Sequence, residues 1–210
     1  CTEVCSVSLY ASGKQTSRFL KDVAKSSGLI LPLCDEVFDE MGLSVADLDL
    51  IVYTKGPGAF TGVRMCVSVV QGMSLAYDIS TLGFSTLEVV GYGASKKYGK
   101  NNIAIALDAR MNEVYWGLYK QGVFSHEALC KPNEVPQLGD EYIGVGTGWG
   151  AYKEALAEAS GITQHLSDFY PKSENLIELA LTHVNENGVF DDKLPLPTYL
   201  RNNVAQKSLK

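Results

Sequence analysis

The segment LDLIVYTKGPGAFTGVRMCVSVVQGMSLAY, residues 48–77, constrains the fold more than any other. Residues 48–54 form an apolar run of strand length, suited to a strand buried in a parallel sheet. Gly56, Gly58 and Gly62 follow within seven residues. A helix is then expected from about Gly62 to Tyr77, with Thr61 placed to cap it. The order recurs in EYIGVGTGWGAYKEALAEAS, residues 141–160: strand, a loop with Gly146, Thr147 and Gly148, then helix. Strand, glycine loop and helix, met twice, specify an α/β chain.

Further pieces agree. VCSVSLY alternates in strand fashion and ends at the turn signal ASG. GLILPLCDEVFDEMG places Leu29, Ile30, Leu33, Val37, Phe38 and Met41 at helical spacing, with Pro32 in its first turns and Gly42 as its stop. NIAIALDARMNEVYWGLYK reads as strand, tight turn at Met111 and Asn112, and strand. SENLIELALTHVNENG reads as a helix capped by Ser173 and stopped by Gly188, and KLPLPTYLR as an extended, proline-rich segment. Glu3-Val4 and Leu9-Tyr10 are echoed by Glu113-Val114 and Leu118-Tyr119. The shared order of elements makes this an internal repeat of two α/β lobes, expected as residues 1–102 and 103–210. The chain begins as if in the middle of a hairpin, its first strand absent.

The glycine loops have two readings. Backbone N–H groups at a helix N-terminus attract anions, which makes 56–62 and 146–148 candidate phosphate or nucleotide loops. Alternatively the glycines serve only sharp strand-to-helix turns. The first loop lacks the lysine and spacing of a Walker A loop, and Thr61 stands where a dinucleotide fingerprint needs glycine. Asp108 ends a strand, where a carboxylate can hold a ligand or simply serve the following turn. His126, His165 and His183 are far apart, none with a histidine four residues on, and no nucleophile elbow occurs. Trp116 and Trp149 read as packing residues. Five cysteines without metal spacing fit a reducing cytoplasm, and no apolar run is long enough for a membrane span. A net charge of −6 with no basic stripe disfavours direct binding of nucleic acid.

GPGAFTGVRM resembles the signature loop of the TsaB family, also called YeaZ. STLEVVGYGA, ALDARMNEVYWGLYK, VGTGWGAY and PTYLRNNVAQK resemble it too, in the family's order, over essentially the whole chain. The resemblance implies an actin/hexokinase-like ATPase (ASKHA) fold: two similar lobes with mixed sheets and flanking helices, the tail packing back on the first lobe. It implies a bacterial, cytoplasmic, non-catalytic partner subunit of the TsaD-type enzyme, in formation of threonylcarbamoyladenosine next to the tRNA anticodon. An ATP-binding or ATP-hydrolysing enzyme of the same fold is the alternative; a metallopeptidase lacks ligands. The implied partners are a TsaD-type subunit, a TsaE-type ATPase, a second copy when alone, and tRNA through the complex. The chain itself is expected to require no cofactor and hold no metal, with at most weak ATP or ADP binding. The resemblance implies that the complex uses ATP and a metal bound by its TsaD subunit. The helix after the first glycine loop is apolar on nearly every side, so it and the first helix are either central in a large core or packed at an interface; the resemblance tips this toward a helix-packed interface on Leu29, Leu33, Val37, Val67, Ser68, Gln71, Gly72 and Met73. Family members open with a strand ending Asp-Thr-Ser/Ala before the match to Thr2-Glu3, where Cys1 takes the small-residue position. Ser26 stands where many relatives place histidine.

Overall fold

The computed structural model describes residues 3–21, 28–188 and 194–201; Cys1, Thr2, Ser26 and the residues after Arg201 lie outside them. The chain opens with the hairpin β1 (Val4–Ala11) and β2 (Lys14–Lys21), antiparallel through Ser12 and Gly13 at φ 50° and 78°. Two successive positive φ values match the right-handed twist of the flanking strands. Helix α1 (Ile30–Met41) packs Leu33, Cys34 and Val37 onto this hairpin and ends at Gly42, in the left-handed conformation expected of it. Strand β3 (Leu50–Thr54), helix α2 (Phe60–Tyr77) and strand β4 (Ser80–Phe84) follow, with β3 and β4 parallel. Helix α3 (Thr86–Tyr98) closes the first half.

Strands β5 (Asn102–Asp108), β6 (Val114–Lys120) and β7 (Val123–Cys130) form an antiparallel meander. Its turns use the same device: Arg110, Met111 and Asn112 in the first and Gln121 and Gly122 in the second all have positive φ. Strand β8 (Ile143–Val145), helices α4 (Gly148–Ala151) and α5 (Lys153–Ser160), strand β9 (His165–Leu166) and helix α6 (Ser173–Asn187) complete the order. The second sheet is mixed and five-stranded, β7-β6-β5-β8-β9. The first half repeats its outer members, β2-β1 and β3-β4, and the inner edges of β1 and β3 line one apolar cavity of about 730 Å³. This mixed, duplicated arrangement is the actin/hexokinase-like fold that the resemblance implies.

The lobes are not independent, because each sheet is covered by the other half's last helix. Helix α3 lays Leu87, Val90 and Ala94 against Ile103, Ile105 and Leu107 of β5. Helix α6 sets Leu176 and Ala180 against Leu82 and Phe84 of β4, with Val89 of α3. The other face of β5 carries the small Ala104 and Ala106 at its centre, leaving room for Trp149 and Trp116, whose ring centroids are 6.5 Å apart. The Trp149 indole N–H donates to the Ala104 carbonyl oxygen at 3.3 Å, so both tryptophans are packing residues, as expected.

Two expected helix starts are corrected. Helix α2 begins at Phe60 rather than near Gly62, and Thr61 does not cap it. Ala59, at ψ 124°, leaves the helical region, and its carbonyl closes the first turn with the Val63 N–H at 2.9 Å. In α6 the cap position falls on Lys172, and Ser173 is the first helical residue. Its N–H donates to Ser6 Oγ at 3.1 Å and its hydroxyl pairs with that of Ser8 at 2.7 Å, so Ser173 fastens α6 to β1.

Candidate functional site: the cleft and the strapped glycine loop

The two glycine loops are geometric counterparts. Gly56 follows β3 and Gly146 follows β8, and both have φ 107°. A Cβ on Gly56 would lie 2.7 Å from the Thr198 carbonyl oxygen, and one on Gly146 would lie 2.5 Å from that of Ala106. Gly148 is likewise pressed on Ala106, at 3.0 Å. These glycines are therefore required by turn conformation and close backbone packing. Gly58 and Gly62 are half-buried and Thr61 is exposed. Thr147 accepts the Asp108 N–H on its hydroxyl at 3.1 Å, which ties the second loop to the end of β5.

A cleft of about 600 Å³ opens between the 57–60 loop and the 108–111 turn. Asp108 sits at its edge, with its side chain 9% exposed. Its carboxylate accepts the Arg110 N–H at 2.8 Å and the Tyr152 hydroxyl at 3.2 Å, and pairs with the Arg110 guanidinium at 3.0 Å. The two bonds to Arg110 are local turn chemistry, while the Tyr152 bond ties Asp108 to the segment after the second glycine loop. The third wall is residues 198–201 of the strap 194–201, part of the segment read as extended and proline-rich. The Thr198 N–H donates to the Lys55 carbonyl oxygen at 2.7 Å. The Arg64 guanidinium lies 3.8 Å from the Phe60 ring centroid and donates to the Tyr199 hydroxyl at 2.8 Å. Arg201 pairs with Glu113 and also donates to the Arg110 carbonyl oxygen, at 3.3 Å.

The extended, proline-rich tail thus packs back on the first half, as expected, through Lys55, Arg64 and Gln71, although its bonds to Gly56's neighbour Lys55 and to Glu113 were not read from sequence. Sequence reasoning also missed a second junction between the halves. Ser85 accepts the Leu87 N–H at the start of α3 and donates to the Glu127 carboxylate of β7. A bulge puts an extra residue into β7, with His126 at φ 59°, beside Glu127. Glu88 accepts the Ser85 backbone N–H, and its partial burial raises its pKa above the ordinary value. Among the described residues, no three His, Cys, Asp or Glu side chains converge as a metal site. His165 stacks on Trp149 and His183 meets the edge of Phe84, far from a common centre.

The chain matches the model of the family TsaD, tRNA N6-adenosine threonylcarbamoyltransferase, over residues 23–209. It is 34% identical to the Escherichia coli K12 "tRNA threonylcarbamoyladenosine biosynthesis protein TsaB", across 99% of this chain and 94% of that protein. The Haemophilus influenzae protein of the same name is 31% identical, across 99% and 93%. The solved structure of YeaZ from Pseudomonas aeruginosa superposes with a TM-score of 0.84 at 33% identity, covering 95% of each chain. The chain belongs to the TsaB family. Against that membership, the residues expected at a partner interface divide sharply. Leu33, Val37 and Val67 are 5%, 1% and 3% exposed and belong to the core of their own lobe, so they offer a partner no surface. In this chain α1 turns Leu33 and Val37 toward β1 and β2, and α2 turns Val67 toward Tyr53, Val63 and Val70, which favours the core reading for these three. Leu29, Gln71 and Met73 are half-buried, while Ser68 and Gly72 are exposed.

Proposed function

We propose that this TsaB-family chain is a non-catalytic partner subunit of a TsaD-type enzyme in threonylcarbamoyladenosine formation on tRNA, working in the cytoplasm. The observation that carries the reading is full-length identity to relatives named for that biosynthesis, combined with glycine loops whose packing is explained without a ligand. The outer side of α2, with Ser68, Gly72 and Leu75, is the surface on which the partner docks. A Cβ on Gly72 would meet nothing within 4 Å, so another helix can approach there. The same surface serves a homodimer when the partner is absent, and a TsaE-type ATPase joins the assembled complex. ATP and a metal act in that complex on the TsaD-type subunit, and tRNA reaches this chain through it. The chain requires no cofactor of its own.

The test is reconstitution. Threonylcarbamoyladenosine formation by the partner enzymes should fall to background without this chain and recover when it is added. It should also recover with an Asp108→Ala chain, since this residue is assigned no chemistry. A second reading has its own observation: the cleft between Gly58, Arg64, Asp108 and Thr147 is large enough to hold a small ligand, so weak ATP or ADP binding remains a proposal. ATP turnover by the isolated chain, lost on Asp108→Ala with folding and pairing intact, would establish that reading instead.

A further inference from the structure

The turn from β5 into β6 holds an uncommon backbone. Arg110, Met111 and Asn112 follow one another at φ 61°, 57° and 58°, a region that residues other than glycine keep only when their surroundings enforce it. Bonds within the turn supply part of that enforcement. The Glu113 N–H donates to the Arg110 carbonyl oxygen at 3.1 Å, and the Ala109 N–H to that of Glu113 at 3.0 Å. Arg201 adds a grip from outside. Its guanidinium pairs with the Glu113 carboxylate and donates to the Arg110 carbonyl oxygen at 3.3 Å, so it holds the turn at its first and last residues. The Arg201 side chain is 17% exposed, and a pair so sheltered is screened by salt less than the exposed pairs elsewhere on the surface.

The other end of the strap is fastened to the first half. The Thr198 N–H bonds the Lys55 carbonyl oxygen at 2.7 Å, and the Thr198 carbonyl oxygen presses on Gly56. The Tyr199 hydroxyl accepts from Arg64, and its ring centroid lies 5.6 Å from that of Phe60. Upstream, the Pro195 carbonyl oxygen accepts the Gln71 side-chain N–H at 2.6 Å. Three peptide steps separate Thr198 from Arg201, a backbone reach of about 11 Å at most. Residues 57–60 and 108–111 are two walls of the cleft, and 198–201 bonds to the segments that carry both. Those walls cannot part without breaking one end of this short link.

We propose that residues 198–201 are a tether that fixes the width of the cleft, with Arg201 as its releasable end. The two ends are unequal. Backbone bonding, close packing on Gly56 and ring contact hold Thr198 and Tyr199, whereas a single side chain holds the second half, so the Arg201 end yields first. The left-handed turn supplies the bias: once Arg201 lets go, residues 110–112 are free to leave their enforced conformation, and the wall they form loosens. The width held by the tether then limits the size of any solute that enters. The tether concerns the cleft alone and does not depend on pairing with a TsaD-type enzyme.

The experiment uses the full chain. Spin labels on ketone-bearing residues placed at positions 59 and 111, one on each wall, leave the cysteines untouched and report the separation by double electron–electron resonance. Arg201→Ala should lengthen and broaden that distance distribution and speed hydrogen exchange at 110–113 about tenfold or more. Glu113→Gln, which removes the charge and keeps the size, should reproduce both effects. Tyr199→Ala loosens the opposite end, at Arg64 and Phe60, and should also move both readouts. Faster exchange at 110–113 in Arg201→Ala with an unchanged distance would mean that Arg201 merely caps the turn, and the tether fails. It fails equally if the effect of Tyr199→Ala stays within residues 55–64, or if no variant moves either readout.

Discussion

A methyl group on Gly56 would lie 2.7 Å from the Thr198 carbonyl oxygen, on a residue whose φ is 107°. The clash is with backbone and the conformation is closed to side chains, so neither relaxes cheaply. Gly56→Ala should cost about 1–3 kcal/mol of stability, seen as a lower midpoint in urea unfolding. Hydrogen exchange at 198–201 should rise with it, because the strap is the neighbour displaced. Normal strap protection in that variant would contradict the packing role assigned to Gly56. Glu88 gives a prediction in pH. Partial burial raises its carboxyl pKa above the ordinary 4.5 in the folded chain. Between the ordinary and the raised value the folded state holds more protons than the unfolded one, so stability falls as pH rises through that window. At neutral pH the whole penalty is present; well below 4.5 both states are protonated and it vanishes. Glu88→Gln is neutral and still able to accept the Ser85 N–H, keeping the cap. It should raise the thermal midpoint at pH 7, with the gain fading in acid. An equal gain at pH 3 and pH 7 would show that ionisation is not the cause.

At the scale of elements, helix α2 decides the most. It is apolar almost all round in sequence, which leaves open how much of it is core and how much interface. The structure separates adjacent residues: Val67 packs with Tyr53, Val63 and Val70, while Ser68 is exposed. Val67→Glu should therefore unfold the lobe, losing about 3 kcal/mol or more from burying an uncompensated carboxylate. Ser68→Leu should leave the midpoint within about 0.5 kcal/mol and weaken pairing with the TsaD-type subunit. Calorimetric unfolding with parallel pull-down separates the two; a stable, folded Val67→Glu chain would sink the core assignment. Elements with one clear period were legible in sequence: α1 to its Gly42 stop, β3 as a parallel strand, though only Tyr53 of it is buried, and the turn at Met111 and Asn112. Strand β2 was not, since KQTSRFLK is a polar edge strand whose pairing with β1 supplies what its residues do not. Helix α3 was read only as a family motif, because TLEVVGYGASKKY mixes glycine into a segment packed on several sides. The exchange of α3 and α6 between sheets, and the meeting of the strap with Gly56, join residues far apart in sequence and leave no local period. The glycine loops were legible as loops, but the neighbours that make them packing devices were not.

Across the whole molecule, charge sets what the surface can bind. Acidic residues outnumber basic ones, 24 to 18. Several of the basic groups that do face solvent already have acidic partners. Arg18 bonds both Glu36 and Glu40 at 2.7 Å, Lys21 bonds Asp168 at 2.6 Å, and Lys96 pairs with Glu178. Arg110 and Arg201 serve Asp108 and Glu113. The exposed pairs of Arg18, Lys21 and Lys96 add little to stability. They do, however, cancel the local positive potential that would draw in a phosphate backbone. Affinity for tRNA rests largely on releasing counterions from phosphates, and each contact requires a free cationic group. The isolated chain should therefore bind tRNA weakly, and its affinity should change little between about 50 and 200 mM salt. The reconstituted complex should bind more tightly and show the steeper salt dependence. Gel-shift or anisotropy titrations across that salt range provide the measurement. Tight binding by the isolated chain that collapses with added salt would mean that a basic surface has been overlooked and that tRNA contacts this subunit directly. The expected result, weak and nearly salt-independent binding alone against strong binding in the complex, places the cationic track on the partner enzyme and leaves to this chain the apolar surface along α2.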